Sequence, residues 1–434
     1  MRQRPSRPRL LQAMTDAFSL PDLRRRILIT VLILVIFRFI AHVPLPGVNM
    51  DALRELFESN ALLGMLDLFS GGAMRQFSVA SMGVYPYITA SIIMILMVPI
   101  IPRLQALSQE GETGRNKINL ITHWLTVPLA GLSGYGQLVL LQRAGAVSSS
   151  ETLPTVAIVL SLVAGTVFLV WLGELITEYG IGNGISIIIF GGIVAGYPTL
   201  IQQGFLAKGN PMGLLVYILI ALATIVLIVI FTEAHRRIPV QYARSVFRGG
   251  RMYRQSGSTH IPMRVNSSGM IPLIFAMSVV LFPGIVASYF DKGGGFAHEI
   301  VRWFSPNTAL PVGAFYWMFY FVLAIAFTFF YTLVTYQQQD LPGTLQKQGG
   351  FIPGIRPGKN TASYLSGVIN RITWAGALFL AFVAVMPFLA RTVTNVQQIQ
   401  LSSIGLLIVV GVVLDTMKQL EAQLVMRRYE GFIK

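Results

Sequence analysis

The chain has 434 residues, 54% of them apolar and only 12% charged, with a net charge of +15 and a mean hydropathy of +0.64; a soluble protein of this length would carry about 25% charged residues. That balance excludes a soluble globular chain, and the complete lack of cysteine excludes disulfides, thiolate catalysis and cysteine-ligated metals. The 33 basic residues lie mostly between greasy runs, where orientation signals and cytoplasmic docking surfaces sit, which argues against a nucleic-acid-binding face.

In chain order, the basic stretch Arg24, Arg25, Arg26 precedes an apolar run over Ile27–Val43. The following "RFIAHVPLPG" has no small-residue cleavage site, so this first span is expected to be retained. Next comes "NALLGMLDLFSGG", residues 60–72, with six large apolar side chains (Leu62, Leu63, Met65, Leu66, Leu68, Phe69), one carboxylate (Asp67) and a Ser-Gly-Gly stop. A hydrocarbon core about 30 Å thick needs roughly 20 helical residues, so this stretch is too short to cross. Nine further runs are long enough: Phe77–Ile101, Ile118–Leu141, Leu153–Ile176, Ile185–Ile201, Met212–Thr232, Met270–Phe290, Val312–Tyr336, Ile372–Ala390 and Ile399–Leu420. The pattern predicts an all-α polytopic membrane protein with ten transmembrane helices.

With the N-terminus placed in the cytoplasm, cytoplasmic segments hold 25 of the 33 basic residues and the far side holds 7, Arg38 lying inside the first span. This is the bias of the positive-inside rule. Both termini are then cytoplasmic and the short apolar stretch lies on the opposite side. Ten spans divide into two sets of five, and an odd number inverts a repeated half.

Two cytoplasmic loops stand out. Residues 233–266 carry seven arginines against one carboxylate, and "GGFIPGIRPGKNT" (Gly349–Thr361) packs four glycines and two prolines around Arg356, within a longer loop over 337–371. The glycines and prolines make the second a shaped turn. Both loops could be plain solvated orientation signals. The apolar Phe351, Ile352 and Ile355 favour a docking site for another protein.

No catalytic, metal or cofactor site emerges. The five histidines are scattered, "GETGR" (Gly111–Arg115) lacks the lysine and spacing of a phosphate loop, and "GIGNG" (Gly180–Gly184) reads as a flexible lead into span five. An ion-coupled secondary transporter, the alternative function, would place ionisable residues near the bilayer midplane. Here Arg38, His123, Glu174 and Asp415 lie near span ends, leaving aliphatic centres suited to a constriction that gates by excluding water.

Eight stretches, in order along nearly the whole chain, resemble the SecY family, the central subunits of bacterial protein-conducting channels. They are "PLPGV" (Pro44–Val48), "LFSGG" (Leu68–Gly72), "PYITASII" (Pro86–Ile93), "EGETGR" (Glu110–Arg115), "WLGELITEYGIGNGISIIIF" (Trp171–Phe190), "RRIPVQYAR" (Arg236–Arg244), "GFIPGIRPG" (Gly350–Gly358) and "GLLIVVGVVLDT" (Gly405–Thr416). The resemblance implies two inverted five-helix halves, 1–203 and 204–434, forming a clamshell around a central hourglass pore. It implies a lateral gate where spans two and three face seven and eight. Implied partners are SecE, SecG, the SecA ATPase, ribosomes, preproteins with signal sequences and the lipid bilayer, with the bacterial cytoplasmic membrane as the location.

By the same resemblance, residues 61–75 form a plug, and Val84, Ile88, Ile185, Ile189, Ile274 and Ile408 form the pore ring. The pairs four residues apart lie one above the other on a helix face, and β-branched side chains make a stiff collar. Val84 is smaller than the isoleucine common at that place in the family. Thr89, Ser133 and Asn266 match the polar gate cluster, Ser133 standing where a glutamine or asparagine is usual. Arg244, Arg248, Arg251 and Arg356 match the surface that binds SecA and ribosomal RNA. Full burial of the six plug side chains would contribute roughly 1.5–3 kcal/mol each, too much for a plug that must leave. Asp67 and a flexible Gly71-Gly72 are therefore expected to keep seating weak, the alternative being that Asp67 merely caps the turn or faces water.

Overall fold

The computed structural model describes residues 20–59, 67, 70–143, 145–147, 152–206, 211–248, 251–288, 290, 295–305, 308, 312–394 and 403–430. Its helices are α1 (Pro21–Ile40), α2 (Met50–Ser59), α3 (Tyr85–Ile100), α4 (Pro102–Gln109), α5 (Glu112–Arg143), α6 (Thr152–Tyr179) and α7 (Gly184–Leu206). They continue with α8 (Pro211–Glu233), α9 (Ile271–Ser288), α10 (Phe296–Trp303), α11 (Val312–Gln339), α12 (Leu341–Lys347), α13 (Lys359–Thr394) and α14 (Ser403–Glu430). Three strands, β1 (His235–Arg248), β2 (Arg251–Arg264) and β3 (Gly350–Phe351), depart from the all-helical expectation.

Each of the ten apolar runs overlaps a helix, the second only from Tyr85 and the last from Ser403, residues 399–402 lying outside those described. By length and apolarity alone, five helices among the described residues can cross a bilayer (α5, α6, α8, α11, α13), or six if α3 and α4 count as one bent span. That bend is 99° and has a covalent cause. Pro99 lacks the amide hydrogen that would continue the ladder, and Ile101, which precedes Pro102, is extended at φ −96° and ψ 113°.

Span two starts later than its apolar run suggests. Residues 77–84 are turns, with Phe77 and Gly83 at positive φ, and α3 begins only at Tyr85. Phe77 is fully buried and its carbonyl accepts the Leu45 amide at 3.0 Å, so this turn is core.

The chain divides into two compact units. The first contains α1 to α7, α10 and the tail helix α14. In it, α3 packs on α5, α5 on α6, α6 on α7, and α7 on α14, with α1 laid against α6 and α7. Glycines set these approaches: Gly165 of α6 meets the Val79 carbonyl, and Gly184 meets the Gly173 carbonyl, where a Cβ would collide with backbone. The "GIGNG" segment, expected to be flexible, is pinned instead. The Ile181 amide donates to the Thr30 hydroxyl at 3.2 Å, the Gly184 amide to Thr177 at 2.9 Å, and the Asn183 side chain caps α7 through the Ser186 amide.

The second unit contains α8, the strands, α9 as far as Pro283, and α11 to α13. Helix α13 packs on α11 and α8, and the Tyr320 hydroxyl donates to the Leu273 carbonyl at 3.4 Å, tying α11 to α9. The strands form one antiparallel sheet in the order β2-β1-β3. Ile238, Val240 and Tyr242 alternate along β1 and turn one face into a core with Leu345, Ile352 and Leu365.

Candidate functional site

The residues singled out in the sequence fall at three places in the chain's fold. The first is the turn that ends the short apolar stretch. Leu62, Leu63, Met65, Leu66, Leu68 and Phe69 lie outside the described residues, but Asp67 and residues 70–76 are described. Asp67 is 5% exposed. One carboxylate oxygen accepts from the Ser70 hydroxyl at 2.9 Å and the Met74 amide at 3.1 Å; the other accepts from Arg75 Nε at 2.9 Å. Burial pushes the Asp67 carboxyl above its usual range, opposed by Arg75, by the Ser70 hydroxyl and by the Met74 and Arg75 amides.

The same turn is gripped from outside. Arg38, half-buried in the last turn of α1, donates to the Gly71 carbonyl at 2.7 Å. Gly71, at φ +68°, lies so close to α7 that a Cβ on it would sit 2.6 Å from the Gly192 Cα. Asp67 thus caps and organises the turn, and Gly71, expected to be flexible, is held by backbone apposition.

The second place is the aliphatic collar. Val84 is fully buried and its carbonyl accepts the Ile88 amide at 3.0 Å, so it opens the first turn of α3, with Ile88 half-buried one turn on. Ile189 and Ile408 are buried on α7 and α14, which pack together. Ile185 turns its side chain onto α6, where a Cβ on Gly173 would lie 2.6 Å from its Cδ1. Ile274 is buried within the second unit.

Of the gate residues, Thr89 donates to the Tyr85 carbonyl at 3.1 Å, a bond within its own helix. Ser133 is half-buried on α5, the helix against which α3 packs. Asn266 is buried in the second unit and accepts from the Ser268 hydroxyl at 3.4 Å. The structure also joins two residues that the sequence left apart: His123 Nε2 of α5 lies 3.0 Å from the Glu174 carboxylate of α6, with the Tyr87 ring edge-on to His123 at 5.5 Å.

The third place is the arginine platform. Arg244 pairs with Gln255, and Arg248 with Arg251, across the β1–β2 hairpin. Arg356 is exposed in the turn after β3, and its carbonyl accepts from the Thr361 hydroxyl at 3.0 Å. The two loops are one body, because Gln241 and Tyr242 of β1 pair with Phe351 and Gly350 of β3. Gly350 is required there: a Cβ would meet the Tyr242 ring at 2.9 Å. The apolar residues read as a docking tip are therefore partly the loop's own core. Ile352 is 3% exposed and Ile355 packs beside it against the hairpin base.

These features define a helical membrane protein with buried aliphatics on packed helices, an arginine-bearing hairpin and a short gripped turn. Comparison places it in a family. The family model for SecY matches residues 78–417. The protein translocase subunit SecY of Streptomyces lividans is 41% identical over 446 aligned positions, covering 98% of this chain and all of the relative. Two solved channels, each 16% identical and covering 95% of this chain and 97% of their own, share the fold. One, at a TM-score of 0.63, is a SecY whose plug domain stabilises the closed state of the translocation channel and maintains a membrane seal. The other, at 0.60, is Sec61 in a canine ribosome–channel complex from the endoplasmic reticulum. The chain belongs to the SecY family of protein translocase subunits, the protein-conducting channels.

Proposed function

We propose that this chain is the pore subunit of a bacterial translocase, passing unfolded secretory polypeptides across the cytoplasmic membrane and releasing apolar segments sideways into lipid. Ten spans in two inverted halves, 1–203 and 204–434, would surround the pore, with both termini cytoplasmic. Val84, Ile88, Ile185, Ile189, Ile274 and Ile408 would form the constriction, residues 61–75 the plug, and Thr89, Ser133 and Asn266 the polar seam of the lateral gate. SecE, SecG, SecA and the ribosome would be its partners, the last two docking on Arg244, Arg248, Arg251 and Arg356.

The observation that carries this reading is the pairing of whole-length kinship to a translocase subunit with buried aliphatics, Ile189 and Ile408, on two packed helices. An aliphatic constriction excludes water and ions when empty yet gives way around a passing chain. The hairpin supplies several arginines where phosphate-rich RNA or an acidic motor surface would bind.

The cysteine-free background allows a direct test. A single cysteine at Ile408 is expected to form a disulfide with a cysteine in the mature region of a precursor stalled during SecA-driven transport into proteoliposomes. The crosslink should need both SecA and ATP. Protease protection without the crosslink would refute the pore map, and loss of both with active partners present would refute the channel function.

A further inference from the structure

We propose that Arg38 is the latch of the closed channel, holding the plug seated through the Gly71 carbonyl. This rests on the reading of residues 61–75 as the plug.

Arg38 sits where a cation would complement the C-terminal end of α1. A cap would bond its own helix, yet its guanidinium reaches a carbonyl 33 residues further along the chain, at 2.7 Å.

At that point the seat is backbone against backbone. Gly71 and Gly192 approach until a Cβ on either would lie 2.6–2.7 Å from the Cα of the other. The Phe37 ring closes over the same point and Ala73 and Met74 are buried beside it, so apolar packing holds the turn without direction and the charge-assisted bond from Arg38 is the directional contact. The Asp67–Arg75 pair, by contrast, lies within the turn and keeps its shape without attaching it to α1. Water can replace a guanidinium–carbonyl bond almost in kind. Entry of a wet polypeptide would therefore release the latch first and leave the packing on Phe37 to part afterwards.

The test uses the full chain with its translocase partners in planar bilayers, read as resting potassium chloride conductance. A second readout is labelling of Ala73→Cys by a membrane-impermeant maleimide; Ala73 is fully buried in the structure and its side chain makes no hydrogen bond. Arg38→Gln is expected to raise resting conductance about tenfold, a shift of about 1.4 kcal/mol in the open-to-closed ratio, and to increase labelling. Gly192→Ala, which pushes Gly71 away without touching Arg38, should do the same. The double variant should exceed neither single by much, because both act on one contact.

Deletion of residues 61–69 separates the two readings. If the deletion raises conductance while Arg38→Gln and Gly192→Ala stay at the wild-type level, the latch is refuted and the plug stands. If the deletion itself leaves conductance unchanged, the plug reading falls and the latch with it. Should Arg38→Gln fail to assemble, Gly192→Ala alone decides.

Discussion

The turn at Asp67 and the platform around Arg356 are both loops tied down at a distance, yet they are tied by different forces. The turn is fixed by a carboxylate with three donors, a guanidinium on a carbonyl and two apposed glycines. The platform is fixed by an apolar core of Ile238, Val240, Leu345, Ile352 and Leu365 under a three-stranded sheet. Polar contacts exchange readily with water, so their net stabilisation is modest. A buried apolar core has no such substitute. On the proposed reading, the difference would suit a part that lets go and a part that stays in place, although the turn also has buried Ala73 and Met74 beneath it.

The comparison breaks most sharply at Ile352. Truncation to alanine should cost about 2–5 kcal/mol, as for other buried aliphatics, and appear as a lowered unfolding midpoint in detergent with partner-driven transport lost alongside. An unchanged midpoint would mean that the platform does not rest on this core. Asp67→Leu should cost less, about 1–3 kcal/mol for the buried Ser70 and Met74 donors left unpaired. Arg75, 57% exposed, recovers its hydration and adds little. The signature should be higher resting conductance; if conductance did not move, the carboxylate would not organise the seat. Arg356→Glu should leave the unfolding midpoint within about 0.5 kcal/mol, as surface changes do, while SecA-driven transport falls about tenfold. Normal transport would remove Arg356 from the docking surface.

Much of the fold was legible because spanning helices announce themselves through uninterrupted apolar runs, and each of the ten runs overlaps a helix, five or six of them long and apolar enough to cross a bilayer. Where the reading slipped, the controlling contacts were distant in sequence. The hairpin was taken for a loop because seven arginines dominate it, although Ile238, Val240 and Tyr242 already alternate as a half-buried strand does. Helix α2 went unremarked; it is short and amphipathic, begins at an Asn49 side chain that accepts the Asp51 amide, and buries Leu53 completely. The collar and gate residues were located by family likeness, since a valine or isoleucine inside a greasy helix carries no local mark of its role. Nothing in the local pattern pairs Arg38 with Gly71, or Gly71 with Gly192. A glycine whose partner is another backbone becomes visible only when the chain is folded.

The proline-framed bend after α3 bears on the lipid as well as on the chain. Sixteen residues of α-helix, Tyr85–Ile100, rise about 24 Å, against a hydrocarbon layer about 30 Å thick. At the bend Ile100 is 67% exposed and Ile101 38% exposed, so greasy side chains continue where the helix turns aside. Hydrophobic mismatch of this kind is relieved by thinning the neighbouring bilayer or by drawing flanking groups inward. Lipids with shorter acyl chains should therefore suit α3 better, and acyl-chain length becomes a setting to which transport by this protein is expected to respond.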